Sequence, residues 1–111
     1  MISLSFKFPN ESGNLLVAFV ESRSPLENSI ATDSIGNSWM QNGRPRRWKW
    51  QFKWPFLFRV YQSYYYTLNR RSGLNTVKII GSNEISLTIG EATLENGKEK
   101  MVQREELNEG D

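Results

Sequence analysis

The chain contains neither cysteine nor histidine. Without cysteine there are no disulfides, thiolate nucleophiles or iron–sulfur ligands; without histidine the chain lacks the side chain that ordinarily titrates between about pH 5 and 8. The familiar hydrolytic triads and zinc sites go with them. A chain without thiols is indifferent to oxidants, so its redox compartment stays open. Long apolar runs are missing too. The longest, Leu15 to Val20, falls far short of the ~20 residues a helix needs to cross a bilayer. The first residues alternate apolar and polar and present no basic leader before an apolar stretch. The expectation is a protein of the cytoplasm, or of a virion or particle assembled there, with no membrane partner.

Catalytic and cofactor signatures are equally sparse. The glycines, at positions 13, 36, 43, 73, 81, 90, 97 and 110, never form a nucleotide-binding fingerprint. A calcium loop needs several spaced carboxylates, and Asp33 stands alone in its region. Glu84 with Glu91 is a carboxylate pair that could serve acid–base chemistry, but acids so scattered are ordinarily surface charges. Asn10-Glu11-Ser12 matches a glycosylation sequon and reads more simply as turn composition. No catalytic residue, metal site or cofactor is expected.

What is present is a patterned β protein. A chain of 111 residues fits one domain with a real core. From Trp48 to Val60 every even position is apolar (Trp48, Trp50, Phe52, Trp54, Phe56, Phe58, Val60), and the odd positions are polar up to Pro55 and mixed after it. Successive strand side chains point to opposite faces, so this alternation predicts a strand with an aromatic inner face packed in the core. Thirteen extended residues would reach about 43 Å at ~3.3 Å each. A bend or bulge is therefore expected at Pro55, which lacks the N–H a central ladder needs.

Ile2, Leu4, Phe6 and Phe8 share a face of a first strand; residues 10–14 form a turn; Leu15 to Glu21 reads as a strand buried on both faces, and the two would pair as a hairpin. Gln62 to Leu68 continues the aromatic strand past its bend. Val77 and Ile79, then Ile85, Leu87 and Ile89, mark two short strands around Gly81-Ser82-Asn83, the second ending at Gly90. Asn96-Gly97 is the strongest hairpin signal, because both central residues of a tight hairpin turn must tolerate positive φ. Residues 22–47 are a long polar loop or insertion that either hides short strands or mediates binding, with Asn42-Gly43 able to turn Ser38 to Gln41 onto the aromatic strand. The fold class expected is all-β: a small single-domain antiparallel barrel or sandwich of about six or seven strands over residues 1–102, followed by an acidic tail, 103–111, as a helical turn or disordered.

Charge is unevenly distributed. Residues 34–83 carry nine cations and no acid, whereas residues 1–33 have a net charge of −2 and residues 84–111 of −5. Ten of the 14 aromatics lie between Trp48 and Tyr66, beside the cations. Basic surfaces interleaved with aromatics bind single-stranded nucleic acid by phosphate pairing and base stacking. If parity holds through Pro55, Lys49, Gln51, Lys53, Arg59, Tyr61, Ser63 and Tyr65 line one outward surface, and a one-residue bulge would flip everything after it. Arg44, Arg46 and Arg47 at one end of the segment, and Arg70 and Arg71 at the other, are suited to clamping a phosphate or a carboxylate.

The expected function is a non-catalytic binding module for single-stranded DNA or RNA, or another polyanion. Its predicted contacts are Arg44, Arg46, Arg47, Lys49, Lys53, Arg59, Tyr61, Tyr65, Arg70 and Arg71. The alternative is a structural or adaptor subunit of a multi-protein assembly, viral or phage among them, docking on a protein partner or on copies of itself through its basic middle and long loop. Carbohydrate stacking on exposed rings is a weaker third reading that leaves the cations unexplained.

Overall fold

A computed structural model describes residues 1–43, 47–81 and 83–108, with Arg47 through its backbone. It is all-β, with nine strands among the described residues: β1 (Ile2–Ser5), β2 (Leu15–Ser22), β3 (Ile30–Asp33), β4 (Met40–Gln41), β5 (Arg47–Lys53), β6 (Phe56–Leu68), β7 (Thr76–Ile80), β8 (Glu84–Glu95) and β9 (Lys98–Asn108). They form two antiparallel sheets. The smaller has the order β1-β7-β3; the larger runs β4-β6-β2-β8-β9, with β5 also on β6. The larger sheet is not closed into a barrel. Among the described residues no helix is long and apolar enough to cross a membrane.

The core draws on residues of both sheets. Alternate residues of β2 (Leu16, Ala18, Val20) and β8 (Leu87, Ile89), with Tyr65 of β6, meet Ile2, Ala31, Val77 and Ile79 from the smaller sheet, and Phe6 and Leu26 close the gaps. Each is less than one-tenth exposed. Tyr65 can be buried because its hydroxyl is bonded to the Ser29 hydroxyl and accepts from Gln41 Nε2 at 3.1 Å.

Several sequence expectations are corrected. β1 pairs with β7 and not with β2, because residues 6–14 carry the chain from one sheet to the other and so cannot close a hairpin within one. Only one side of β2 is buried outright; Leu15, Val17, Phe19 and Glu21 are half-buried on the outer face, where no third layer covers them. Residues 22–47 hide two short strands, β3 and β4. Instead of folding back at Asn42-Gly43, β4 and β5 follow one another along the same edge of β6, since both run antiparallel to it. Gly90 does not end β8, which continues to Glu95; Asn96 and Gly97 then adopt φ of 51° and 74° in the tight turn to β9, as anticipated. The supposed tail is strand as far as Asn108, with Gln103 buried, and only residues 109–111 lie outside the described residues.

One end of the core is polar. Glu91, fully buried on β8, accepts from Asn10 Nδ2 (2.8 Å), Glu11 N (2.8 Å), Asn14 Nδ2 (2.8 Å) and Gln103 Nε2 (2.7 Å). Asp33 collects the backbone N–H groups of Gly36 and Asn37, the side chains of Asn37 and Asn75, and the Trp39 indole N–H. Asn75 bridges the two carboxylates by donating to both Asp33 and Asn10. A buried charge without a counter-ion is tolerable when hydrogen bonds satisfy its oxygens. Burial raises the Glu91 pKa, but donation from Gln103, Glu11, Asn14 and Asn10 outweighs it and holds the group below its ordinary 4.5. Asp33 is likewise depressed from 3.8: burial again opposes, and Asn37, Trp39 and Asn75 prevail.

Because both native pKa values lie below the unfolded ones, this stabilisation is complete above the ordinary carboxylate values. It is lost as pH falls through the native values. Urea midpoints should therefore hold near neutral pH and decline on acidification below about 4.5. Glu91→Ala, which strands four donors, should cost on the order of 3 kcal/mol at pH 7 in the same titration.

Candidate functional site: the aromatic hairpin

The aromatic segment is two strands and not one bent strand. β5 and β6 form a hairpin closed by Trp54-Pro55, whose peptide bond is cis, with Lys53 opposite Phe56, Phe52 opposite Leu57, Trp50 opposite Arg59 and Trp48 opposite Tyr61. Directly opposed residues share a face. The two-residue turn therefore places even positions of β5 with odd positions of β6, and the outward surface expected from unbroken parity does not exist. Trp48, Trp50, Phe52, Leu57, Arg59 and Tyr61 occupy one face; Lys49, Gln51, Lys53, Phe56, Phe58 and Val60 occupy the other.

The first of these faces continues the inner face of the larger sheet. Tyr61 packs against the core, and beyond it along β6 the buried positions Ser63, Tyr65 and Thr67 hold the same parity. Trp48, Trp50 and Phe52 are thus oriented as the sequence predicts, whereas Phe56, Phe58 and Val60, expected on the same face, lie on the other. The aromatic side is not covered. The last residue of β2 to pair with β6 is Ser22, opposite Tyr61. Past that point the ribbon extends by five further residue pairs, Lys49↔Val60 to Lys53↔Phe56, or about 16 Å at ~3.3 Å per residue. The strands of the smaller sheet are only four or five residues long, and the side chains of the ribbon's tip stay open to solvent. Trp50 is 55%, Phe52 63% and Trp54 83% exposed, and Trp48, Phe56 and Leu57 are exposed as well. The expectation that the indoles are core is overturned.

Geometry within the hairpin is ordered. The Arg59 guanidinium lies over the Trp48 ring at 4.4 Å and the Trp50 ring at 5.4 Å, and its Nη1 donates to the Tyr61 hydroxyl at 3.4 Å. Trp48 and Trp50 meet edge to face at 5.6 Å, as do Phe52 and Trp54 at 6.3 Å. On the other face Lys49 pairs with Glu21 at 3.3 Å, and Arg23 lies over the Phe58 ring at 4.7 Å. The Glu21 carboxyl sits below its ordinary pKa: burial opposes the shift, and bonds from Gln62, Lys49 and Ser86 together with the Lys49 charge outweigh it.

The ten residues predicted as contacts do not form one site. Lys49, Lys53, Arg59 and Tyr61 lie on the hairpin, on two different faces. Tyr65 is 2% exposed and belongs to the core, so it presents no stacking surface. Arg70 and Arg71 follow the far end of β6, beside Asn37 and Ile35, with the Arg71 guanidinium bonded to the Ile35 carbonyl. Arg44, Arg46 and the Arg47 side chain lie outside the described residues. Glu84 and Glu91, weighed as an acid–base pair, are seven positions apart along β8, about 23 Å at ~3.3 Å per residue. Both are buried, Glu91 among amide donors and Glu84 beside the N-terminal ammonium group of Met1. Among the described residues no group of three or more carboxylates is placed to hold a metal ion.

The residues missed by pattern reading are the apolar ones: Trp48, Trp50, Phe52, Trp54, Phe56 and Leu57. A signal was available in the implausible length of a thirteen-residue strand, which a turn at Trp54-Pro55 resolves. No protein-family model, curated protein or solved structure matches this chain.

Because these rings touch each other, the Arg59 guanidinium and water, Trp50→Ser and Trp54→Ser should change unfolding free energy by less than about 1 kcal/mol. Tyr65→Ala should cost about 3 kcal/mol or more in the same urea titration. Equal losses at all three sites would restore the hairpin to the core.

Proposed function

We propose that the chain is a non-catalytic binding module that engages a polyanionic partner through the β5–β6 hairpin. The observation that carries this reading is the bare inner face of the hairpin. Soluble proteins rarely leave contiguous large apolar side chains in water unless the patch is an interaction surface. The charge around it selects the class of partner: between positions 34 and 83 the sequence has no acid, and the hairpin contributes Lys49, Lys53 and Arg59 against a neighbouring acid, Glu21, with which Lys49 pairs. Clustered cations raise the local concentration of polyanions and speed their capture. Single-stranded nucleic acid, the partner expected from sequence, is one member of that class.

In this reading Lys49 and Lys53 on one face and Arg59 on the other meet anionic groups, with Trp48, Trp50 and Tyr61 as the ring surface beside Arg59. The framework behind them is read as an open two-layer sandwich, whose larger sheet ends at β9 on one side and at β4 and β5 on the other.

Immobilised heparin is the simplest probe of the class. The wild-type protein should be retained at low salt and elute as ionic strength rises. The triple variant Lys49→Ala, Lys53→Ala, Arg59→Ala should elute at a far lower salt concentration while still unfolding cooperatively in urea, with only the small loss expected of surface ion-pair and cation–ring contacts. Equal retention of wild type and variant would place the polyanion elsewhere.

A further inference from the structure

We infer that the polyanion is the headgroup layer of an anionic lipid bilayer, entered end-on by the hairpin tip. This rests on the polyanion reading above and names its partner.

The geometry favours an end-on approach over a lateral one. A nucleic acid strand lying along the hairpin could touch one face at a time. On the face with the rings it would find Arg59 already seated over Trp48 and Trp50, while Lys49 and Lys53 point away to the opposite side. A planar surface met by the tip engages both faces at equal depth. The distal residues are apolar on both sides and at the end: Phe52 and Leu57 on one face, Phe56 on the other, Trp54 at the turn, each at least 62% exposed. A stacking platform has no need of apolar groups on its reverse side; a tip that enters a lipid interface does. Behind them stand Arg59, opposite Trp50 on one face, and Arg23, over the Phe58 ring on the other, with Lys49, paired to Glu21, farther back. Between Arg23 and the tip is a recess lined by Arg23, Lys53, Trp54, Phe56, Leu57 and Phe58, two cations beside an aromatic and aliphatic wall.

Insertion is limited in depth by the backbone. Beyond Trp48 and Tyr61 the ribbon is two-stranded, with no third strand beside it among the described residues, so its outer N–H and C=O groups need polar partners. Hydrocarbon offers none. The boundary between headgroups and acyl chains, about 5–10 Å deep, suits both the backbone and the indoles, which favour that zone. A spanning segment is not required, so the shortness of the apolar runs does not bear on this partner.

The test uses phosphatidylcholine vesicles with and without phosphatidylserine, an oligo-dT strand and immobilised heparin. Wild-type protein should co-sediment with phosphatidylserine vesicles and not with phosphatidylcholine alone, and brominated acyl chains should quench its tryptophan fluorescence. The double variant Trp54→Ser, Phe56→Ser should lose vesicle affinity at least tenfold while keeping its heparin elution position. Capture of oligo-dT without vesicle binding would overturn the lipid inference and leave the polyanion reading standing. Vesicle binding without bromolipid quenching in the wild type would overturn insertion, whether or not the variant folds. Failure to bind heparin, oligo-dT and vesicles alike would overturn both readings.

Discussion

The structure turns on a mismatch of length between its two sheets. β6 has thirteen residues and β8 twelve, whereas no strand of the facing sheet exceeds five. Apolar side chains on the inner face of the larger sheet gain from burial only where something lies opposite them, at roughly 25 cal/mol per Å² of surface removed from water. Over Leu16, Ala18, Val20, Leu87 and Ile89 that condition is met, and these residues are sealed. Over the hairpin it is not. The same alternation of apolar and polar residues makes a core at one end of β6 and an open aromatic surface at the other.

The opposite end of the molecule shows how the polar groups are managed. Glu91 and Asp33 are held as anions by amide and indole N–H donors, and Asn10 and Asn75 connect them. Loops from separate parts of the chain are thereby tied to β8 and to the small sheet. A hydrogen-bonded cluster at this end and exposed rings at the other divide the chain between a scaffold and a projecting element, in a molecule with principal dimensions of 46 × 24 × 23 Å.

Much of the fold was legible from residue pattern alone. The all-β class, the Asn96-Gly97 turn and the inward parity of Trp48, Trp50 and Phe52 follow from local rules that act over two to four residues. What was not legible depends on partners distant in sequence. Nothing in Ile2–Ser5 distinguishes β2 from β7 as its neighbour, and nothing in Trp48–Lys53 states how far the covering sheet extends. The parity of β6 depended on one detail, a two-residue turn at Trp54-Pro55 in place of a bulge, and that detail decided which cations share a face with which rings. Tyr65 was lost from the expected site and Trp54, Phe56 and Leu57 were gained for this reason. The asparagines that satisfy Glu91 gave no warning, since a loop asparagine reads the same whether it turns the chain or caps a buried charge.

The hairpin can serve as a binding surface only if its indoles lie in water when the protein is alone. Acrylamide quenching and emission of the dilute, monomeric protein measure this directly. Trp48, Trp50 and Trp54 should together give a red-shifted spectrum that quencher reaches freely, with the half-buried Trp39, bonded to Asp33, contributing a smaller protected fraction. A blue-shifted spectrum resistant to quencher in the monomer would mean that the hairpin is covered, and that the surface on which the function is argued is not there.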